Sequence, residues 1–193
     1  MDRDGVINQK APEGEYITRW EDFHFLPGVT EGIALLNRAG YSVVVVTNQR
    51  CIAKGLMTGA DLEKMHARMT NFLAQAGAAI DGIYYCPHEL GQSCHCRKPA
   101  PGMLLDAARS RGIGLPASWM IGDSDVDIEA GKNAGCKTAR LAAITEHANQ
   151  AGSRKGKRNN ADIVAPSLLD AVRQILLQES VAVGSTTVEP AAS

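Results

Sequence analysis

The sequence predicts an α/β domain built on a mostly parallel sheet with helices on both faces, and three observations lead there. Residues 41–47 (YSVVVVT) form a continuous apolar, β-branched run, the pattern of a strand buried on both faces. Shorter runs of the same kind recur at 83–86, 119–122, 138–141 and 163–165, with helical periodicities between most of them. The chain's 193 residues, 45% hydrophobic and 21% charged, suit one core-forming domain and exclude a collagen-like or disordered chain.

Taken in order, the first helical pattern covers 29–39 and is stopped by Gly40 ahead of the strand 41–47. The second covers 61–76, stopped by Gly77, and its Leu62, Met65, Met69, Phe72, Leu73 and Ala76 recur at three- and four-residue steps, which predicts a core-facing stripe. The third, 101–111, ends at Gly112, and the fourth, 126–134, ends at Gly135. Alternation of this kind implies right-handed crossovers between parallel strands. Residues 150–160 (QAGSRKGKRNN) lack periodicity and read as a solvated loop. Ser167 is placed to cap a last helix through about residue 178, and 180–193 are expected to form a disordered tail to a domain spanning 1–179.

Charge and composition exclude several functions. With 20 Lys+Arg against 21 Asp+Glu the net charge is −1, so no global field draws the chain to nucleic acid or an anionic membrane. Its longest strongly apolar stretch, 41–46, is far short of the roughly 20 residues a bilayer span needs. The N-terminal Met1-Asp2-Arg3-Asp4 does not resemble a signal peptide, and a cytoplasmic location is expected. Five cysteines, three of them close together beside a histidine, suit a metal site in a reducing compartment better than a disulfide framework, leaving Cys51 and Cys136 as spare thiols.

In open parallel sheets ligands sit at the carboxyl ends of the strands, and four segments with chemical potential fall there. They are Asp2 and Asp4 in DRDGV, Thr47-Asn48, Arg97-Lys98, and Asp123 with Asp127 in GDSDVD. Carboxylates two residues apart on an extended chain share one face, and Gly5 permits a bend beside Asp2 and Asp4. Converging carboxylates repel, and Mg²⁺ is the usual remedy. Read singly, each piece is also an ordinary turn, strand end or helix cap. Cys86, His88, Cys94 and Cys96, spaced C-x-H-x5-C-x-C, make a complete tetrahedral Zn²⁺ set with no open position, hence a structural site. His95 is an alternative fourth ligand, strained by its place between two cysteines. His24, His66 and His147 read as ordinary structural or surface residues.

The ordered set DRDGVIN, YITRWEDFHFLPGV, VVVVTNQ, CPHELGQSCHCRKPAPGML and MIGDSDVDIEAGKNAG resembles the haloacid dehalogenase (HAD) superfamily. Within it the likeness is to small phosphatases acting on D-glycero-D-manno-heptose 1,7-bisphosphate, with histidinol-phosphatases close by, over about residues 1–178. The resemblance implies a HAD-like, Rossmann-like fold without a separate cap domain and with a short zinc-binding loop. It makes Asp2 the nucleophile, Asp4 the general acid and base, Thr47 and the backbone around Asn48 the phosphate anchor, and Lys98 the neutralising charge, with Arg97 a substrate-binding candidate. Mg²⁺ is implied at the Asp2 carboxylate, the Asp4 carbonyl and Asp123, supported by Asp127. The implied function is a Mg²⁺-dependent phosphomonoesterase removing the 7-phosphate of a small soluble sugar bisphosphate, with a histidinol-phosphate phosphatase as the alternative. A phospho-accepting receiver needs no acid/base Asp4, and a zinc-stabilised nucleic-acid module is opposed by near-neutral charge. Oligomeric state is not readable.

Three departures from the family stand out. The nucleophile usually follows several apolar residues of a central strand and here lies at position 2, so the chain is expected to begin inside a longer product. Arg50 and Cys51 replace the small residue and glycine that usually follow the TNQ segment. Ser124 replaces a lysine that often follows the metal aspartate.

Overall fold

In the computed structural model, which describes residues 1–142 and 161–184, the five strands form only parallel ladders. One ladder pairs β1 (Val44–Asn48) with β2 (Gly82–Cys86); the other runs β3 (Trp119–Gly122), β4 (Lys137–Leu141), β5 (Ile163–Ala165). Met1 and Asp2 join them. The Met1 ammonium donates to the Val44 carbonyl at 2.7 Å, the Val46 N–H donates to the Met1 carbonyl at 2.9 Å, and the Asp2 N–H donates to the Ile121 carbonyl at 2.9 Å. The spatial order is therefore β2, β1, Met1–Asp2, β3, β4, β5. On the amino-terminal side of Met1 the two ladders flank an apolar slot walled by Val43, Val44, Trp119 and Ile121. Burial pushes the Met1 ammonium down to about 6.

The side-chain period of two divides the core between the sheet's faces. Val45 and Ile121 join the larger cluster, while Val46 and Met120 join a smaller one on the opposite side. Helices α1 (Val29–Arg38), α2 (Gly59–Gln75) and α5 (Leu168–Gly184) fill the first through Ile33, Leu62, Met69 and Ile175. Helices α3 (Gly102–Arg111) and α4 (Asp125–Ala134) cover the second, with Met103 buried against Met120 and Cys86. Local chemistry sets the helix ends. Thr58 Oγ1 accepts from the Asp61 N–H at 3.1 Å, Ser167 Oγ does the same for Asp170 at 3.1 Å, and Gly112 and Gly135 close α3 and α4 in the left-handed conformation.

The expected elements are present with shifted edges. The first strand starts at Val44 rather than 41, because β2 begins only at Gly82 and the Asp81 carboxylate, not a strand partner, accepts from the Val43 N–H. Helix α2 starts two residues early because Thr58 is the cap. In its apolar stripe Phe72 and Ala76 are exposed, Phe72 stacking on Phe25 at 4.5 Å at the rim of the core. Helix α5 continues to Gly184, past the point where a tail was expected. The basic loop 150–160 and His147 lie outside the described residues. Among the described residues no helix is long and apolar enough to cross a membrane.

Met120 is fully buried at the centre of the smaller core. Met120→Ala is expected to lower unfolding free energy by about 2–5 kcal/mol, read from the denaturant midpoint at unchanged slope.

Candidate active site

Every candidate residue emerges at the carboxyl edge of the sheet. Asp2 leaves the interior position between β1 and β3, Thr47 and Asn48 end β1, the loop after β2 carries Lys98, and Asp123 follows β3. The bend expected after Asp2 is a tight turn in which the Ile7 N–H donates to the Arg3 carbonyl and the Gly5 N–H to the Asn8 carbonyl, each at 2.8 Å. Gly5 has φ +89°, and a Cβ there would stand 2.3 Å from Asp123 Oδ2. Glycine is thus required twice, for its conformation and for the approach of the Asp123 carboxylate.

Lys98 is the electrostatic centre. Its side chain is 2% exposed, and Nζ meets Asp2 Oδ1 at 2.8 Å, Asp127 Oδ1 at 2.6 Å and the Val46 carbonyl at 2.9 Å. Burial lowers the lysine's affinity for its proton, but the two carboxylates outweigh it and hold the ammonium charged. Asn48 aims this lysine: its Oδ1 accepts from the Lys98 N–H at 3.1 Å and its Nδ2 donates to the Lys98 carbonyl at 3.2 Å. The Asn48 side chain is therefore committed to the loop. The Asp2 carboxyl is raised to about 6 by burial, opposed by Lys98 and reinforced by Asp127. Its Oδ1 also accepts from the Arg3 N–H at 2.7 Å.

Behind Asp4 lies a layer that sequence reasoning missed. Arg3, 1% exposed, places Nη2 2.9 and 3.0 Å from the two Asp4 oxygens and Nη1 3.2 Å from His66 Nε2. Asn8 donates to Asp4 Oδ1 and Gln49 to Asp4 Oδ2, both at 2.9 Å. Burial pushes the Asp4 carboxyl up, but the Arg3 charge and these hydrogen bonds override it and hold it below the usual range. His66, read as ordinary, is buried against the Arg3 guanidinium and is lowered to about 4 by burial and that charge. The only sequence signal for Arg3 is its place between two aspartates; nothing marks it as buried.

Asp2, Asp123 and Asp127 each offer an oxygen, all within 4.8 Å of one another. Asp123 Oδ1 is buried without a hydrogen-bond partner among the protein atoms, and an all-oxygen set suits a hard divalent cation. The residues therefore fit Mg²⁺. Asp127 Oδ2 accepts from the Ser124 N–H at 3.1 Å and from the Ser124 hydroxyl. Residues 10–17 wall the cleft, and Lys10, another residue the sequence did not mark, reaches Asp123 Oδ2 at 2.8 Å.

Cys86, His88, Cys94 and Cys96 form a second convergent set. Cys86 and Cys94 sulfurs are 3.8 Å apart, and His88 Nδ1 lies 3.5 Å from Cys86 Sγ and 3.2 Å from Cys96 Sγ. Two thiolates bound at about 2.3 Å to one tetrahedral zinc stand about 3.8 Å apart. His95 is exposed and faces Asp106 at 3.6 Å, outside the cluster. Arg97 Nη1 donates to the His88 carbonyl at 3.1 Å, tying the cluster to the segment that carries Lys98. Arg50 pairs with Glu89 on the same loop.

The chain matches the family model described as HAD-hydrolase-like over residues 95–171. It is 45% identical over 130 residues to D-glycero-beta-D-manno-heptose-1,7-bisphosphate 7-phosphatase of Pseudomonas putida, covering 67% of this chain and 73% of that one. It is 38% identical over 145 residues to the alpha-anomer 7-phosphatase of Mycobacterium bovis, covering 75% and 76%. The crystal structure of D,D-heptose 1,7-bisphosphate phosphatase from B. bronchiseptica, complexed with magnesium and phosphate, superposes with a TM-score of 0.76 at 37% identity, covering 92% of this chain and 96% of that one. The chain belongs to the HAD-type heptose-bisphosphate phosphatase family.

His66 yields a signed pH prediction. Its proton affinity falls from 6.5 to about 4 on folding, so between those values the unfolded state holds more protons. The stability this contributes is full above pH 6.5 and lost as pH falls toward about 4. Relative to neutral His66→Gln, the wild type is expected to lose on the order of 2 kcal/mol more stability between about pH 7 and 5, read by urea unfolding.

Proposed function

We propose that this HAD-type phosphatase removes the 7-phosphate of D-glycero-D-manno-heptose 1,7-bisphosphate through an aspartyl-phosphate intermediate. The observation that carries the reading is the buried Lys98 ammonium bridging Asp2 and Asp127, with Thr47 and Asp4 bordering the same cleft. Asp2 Oδ1 is occupied by Lys98 and the Arg3 N–H, which leaves Oδ2 to form the bond to phosphorus. As that bond forms, the phosphorus–oxygen bond to the sugar breaks, and the departing oxygen takes a proton from the Asp4 carboxyl, which must first take that proton from solvent because Arg3, Asn8 and Gln49 favour its ionised form. Asp4, now ionised and held so by Arg3, Asn8 and Gln49, accepts a proton from water as the water oxygen attacks the acyl phosphate, releasing inorganic phosphate and restoring Asp2. Thr47 donates to a phosphoryl oxygen. Mg²⁺ held by Asp2, Asp123 and the Asp4 carbonyl, with Asp127 beside them, neutralises charge on the phosphoryl group.

The departures bear on which sugar and anomer enter. The Ser124 hydroxyl is spent on Asp127, so it does not replace the phosphate contact of a lysine. The relatives include both anomeric specificities, and residues 10–17 with Ser124, which line this chain's cleft, are the candidates for selecting between them. We assign Cys86, His88, Cys94 and Cys96 a structural Zn²⁺ that fixes the loop bearing Lys98.

Phosphate release is expected from one heptose 1,7-bisphosphate anomer over the other, histidinol phosphate and hexose phosphates, and only with Mg²⁺. Asp2→Asn is expected to lower turnover by about a thousandfold or more with the fold retained, since the covalent route is lost. A folded, zinc-loaded protein that releases phosphate from neither anomer, or an Asp2→Asn variant of full activity, sinks the proposal. Cys94→Ser is expected to lose stoichiometric zinc and thermal stability together; plasma emission spectrometry and a melting curve test this, and undiminished zinc counts against the ligand set.

A further inference from the structure

We propose that Gln49 is a positioning residue that aims two groups, the Thr47 hydroxyl and the Asp4 carboxyl, at one phosphate ester; the role rests on the phosphatase reading above. Gln49 is 3% exposed and follows the last residue of β1. Its Nε2 donates to Asp4 Oδ2 and to Thr47 Oγ1, both at 2.9 Å, so both amide hydrogens are used. Its Oε1 lies 3.6 Å from Cys51 Sγ, whose thiol is a weak donor. This arrangement determines the amide's orientation. A flip would set Oε1 against a carboxylate and a hydroxyl oxygen and leave the thiol facing an N–H group.

The chemical consequence lies in the direction of hydrogens. A hydroxyl has one hydrogen to give, and Thr47 Oγ1 receives one from Gln49, so the Thr47 hydrogen is released for an acceptor on the cleft side. There the acceptor is a phosphoryl oxygen. On the other side Arg3 and Asn8 also hold Asp4, but Gln49 is the donor that links its carboxyl to the phosphate anchor. One planar amide therefore sets the distance between the group that holds the transferring phosphoryl and the group that protonates the leaving oxygen. A small misplacement of either is felt in the chemical step.

Gln49→Met keeps length and burial and removes both donors. The readout is the leaving-group dependence of the single-turnover rate of ester cleavage, which precedes the water attack common to both esters, comparing the best sugar phosphate of the wild type with p-nitrophenyl phosphate, whose leaving group departs without a proton. On the sugar ester this rate is expected to fall about 30-fold or more, within the range a general acid supplies, and on the aryl ester by less than about threefold. KM is expected to rise for both, because the Thr47 anchor serves both. Equal losses on the two esters, or no loss on the sugar ester, overturn the proposal; circular dichroism and zinc content establish that the variant is folded. Should Gln49→Met not fold, Gln49→Asn, whose shorter amide reaches only one of the two oxygens, is read by the same ratio. A wild type that turns over no sugar phosphate removes the phosphatase reading and this one with it, whereas unequal losses from an active wild type support both.

Discussion

The buried ammonium of Lys98 is the interaction on which the site depends. Asp2 and Asp127 are 125 positions apart (127 − 2) in the sequence and lie close together in a position from which water is largely excluded. Two carboxylates cannot share such a place without compensating charge, and removing one partner of a buried ion pair leaves the other uncompensated at a cost of about 3–5 kcal/mol. Lys98 meets both carboxylates and the Val46 carbonyl, so the same nitrogen is tied to the sheet. The elements around it serve to place it. Asn48 grips its backbone from β1, and the cysteine–histidine cluster shapes the loop that delivers it.

The two aspartates of the DRDG turn are given opposite environments by the residues between and behind them. Asp2 is pushed up by burial, with one oxygen fixed and the other open to the cleft. Asp4 is held down by Arg3, Asn8 and Gln49 despite its burial. Arg3 in turn is enclosed by His66 and the face of Phe23, 5.7 Å from its guanidinium carbon. The packing of α2, which carries His66, is thereby connected to the chemistry.

Sheet geometry gathers the site. Met1 and Asp2 bridge β1 and β3, so the carboxyl edge on which the site stands is continuous. Parallel strands leave their chain ends on one edge, and four separate loops converge there. Gly5 then lets the Asp123 carboxylate approach the first turn where any side chain would exclude it.

The sequence by itself determined the strand and helix order, the glycine stops, the cap at Ser167 and the candidates that converge in space, Asp2, Asp4, Thr47, Lys98 and Asp123 in one group and Cys86, His88, Cys94 and Cys96 in the other. These follow from local periodicity and from chemistry that short spacing preserves, such as C-x-H and C-x-C on one loop. Tertiary structure alone decided that Arg3 is buried, that His66 faces it, that Asn48 and Arg97 hold the loop, and that Gln49 joins Thr47 to Asp4. Each of these depends on which residues from distant segments come within hydrogen-bond reach, and on burial, which converts a polar side chain from a solvated surface group into an obligatory partner. No window of the chain contains that information, because the contact of Arg3 with His66 spans 63 positions and that of Gln49 with Asp4 spans 45.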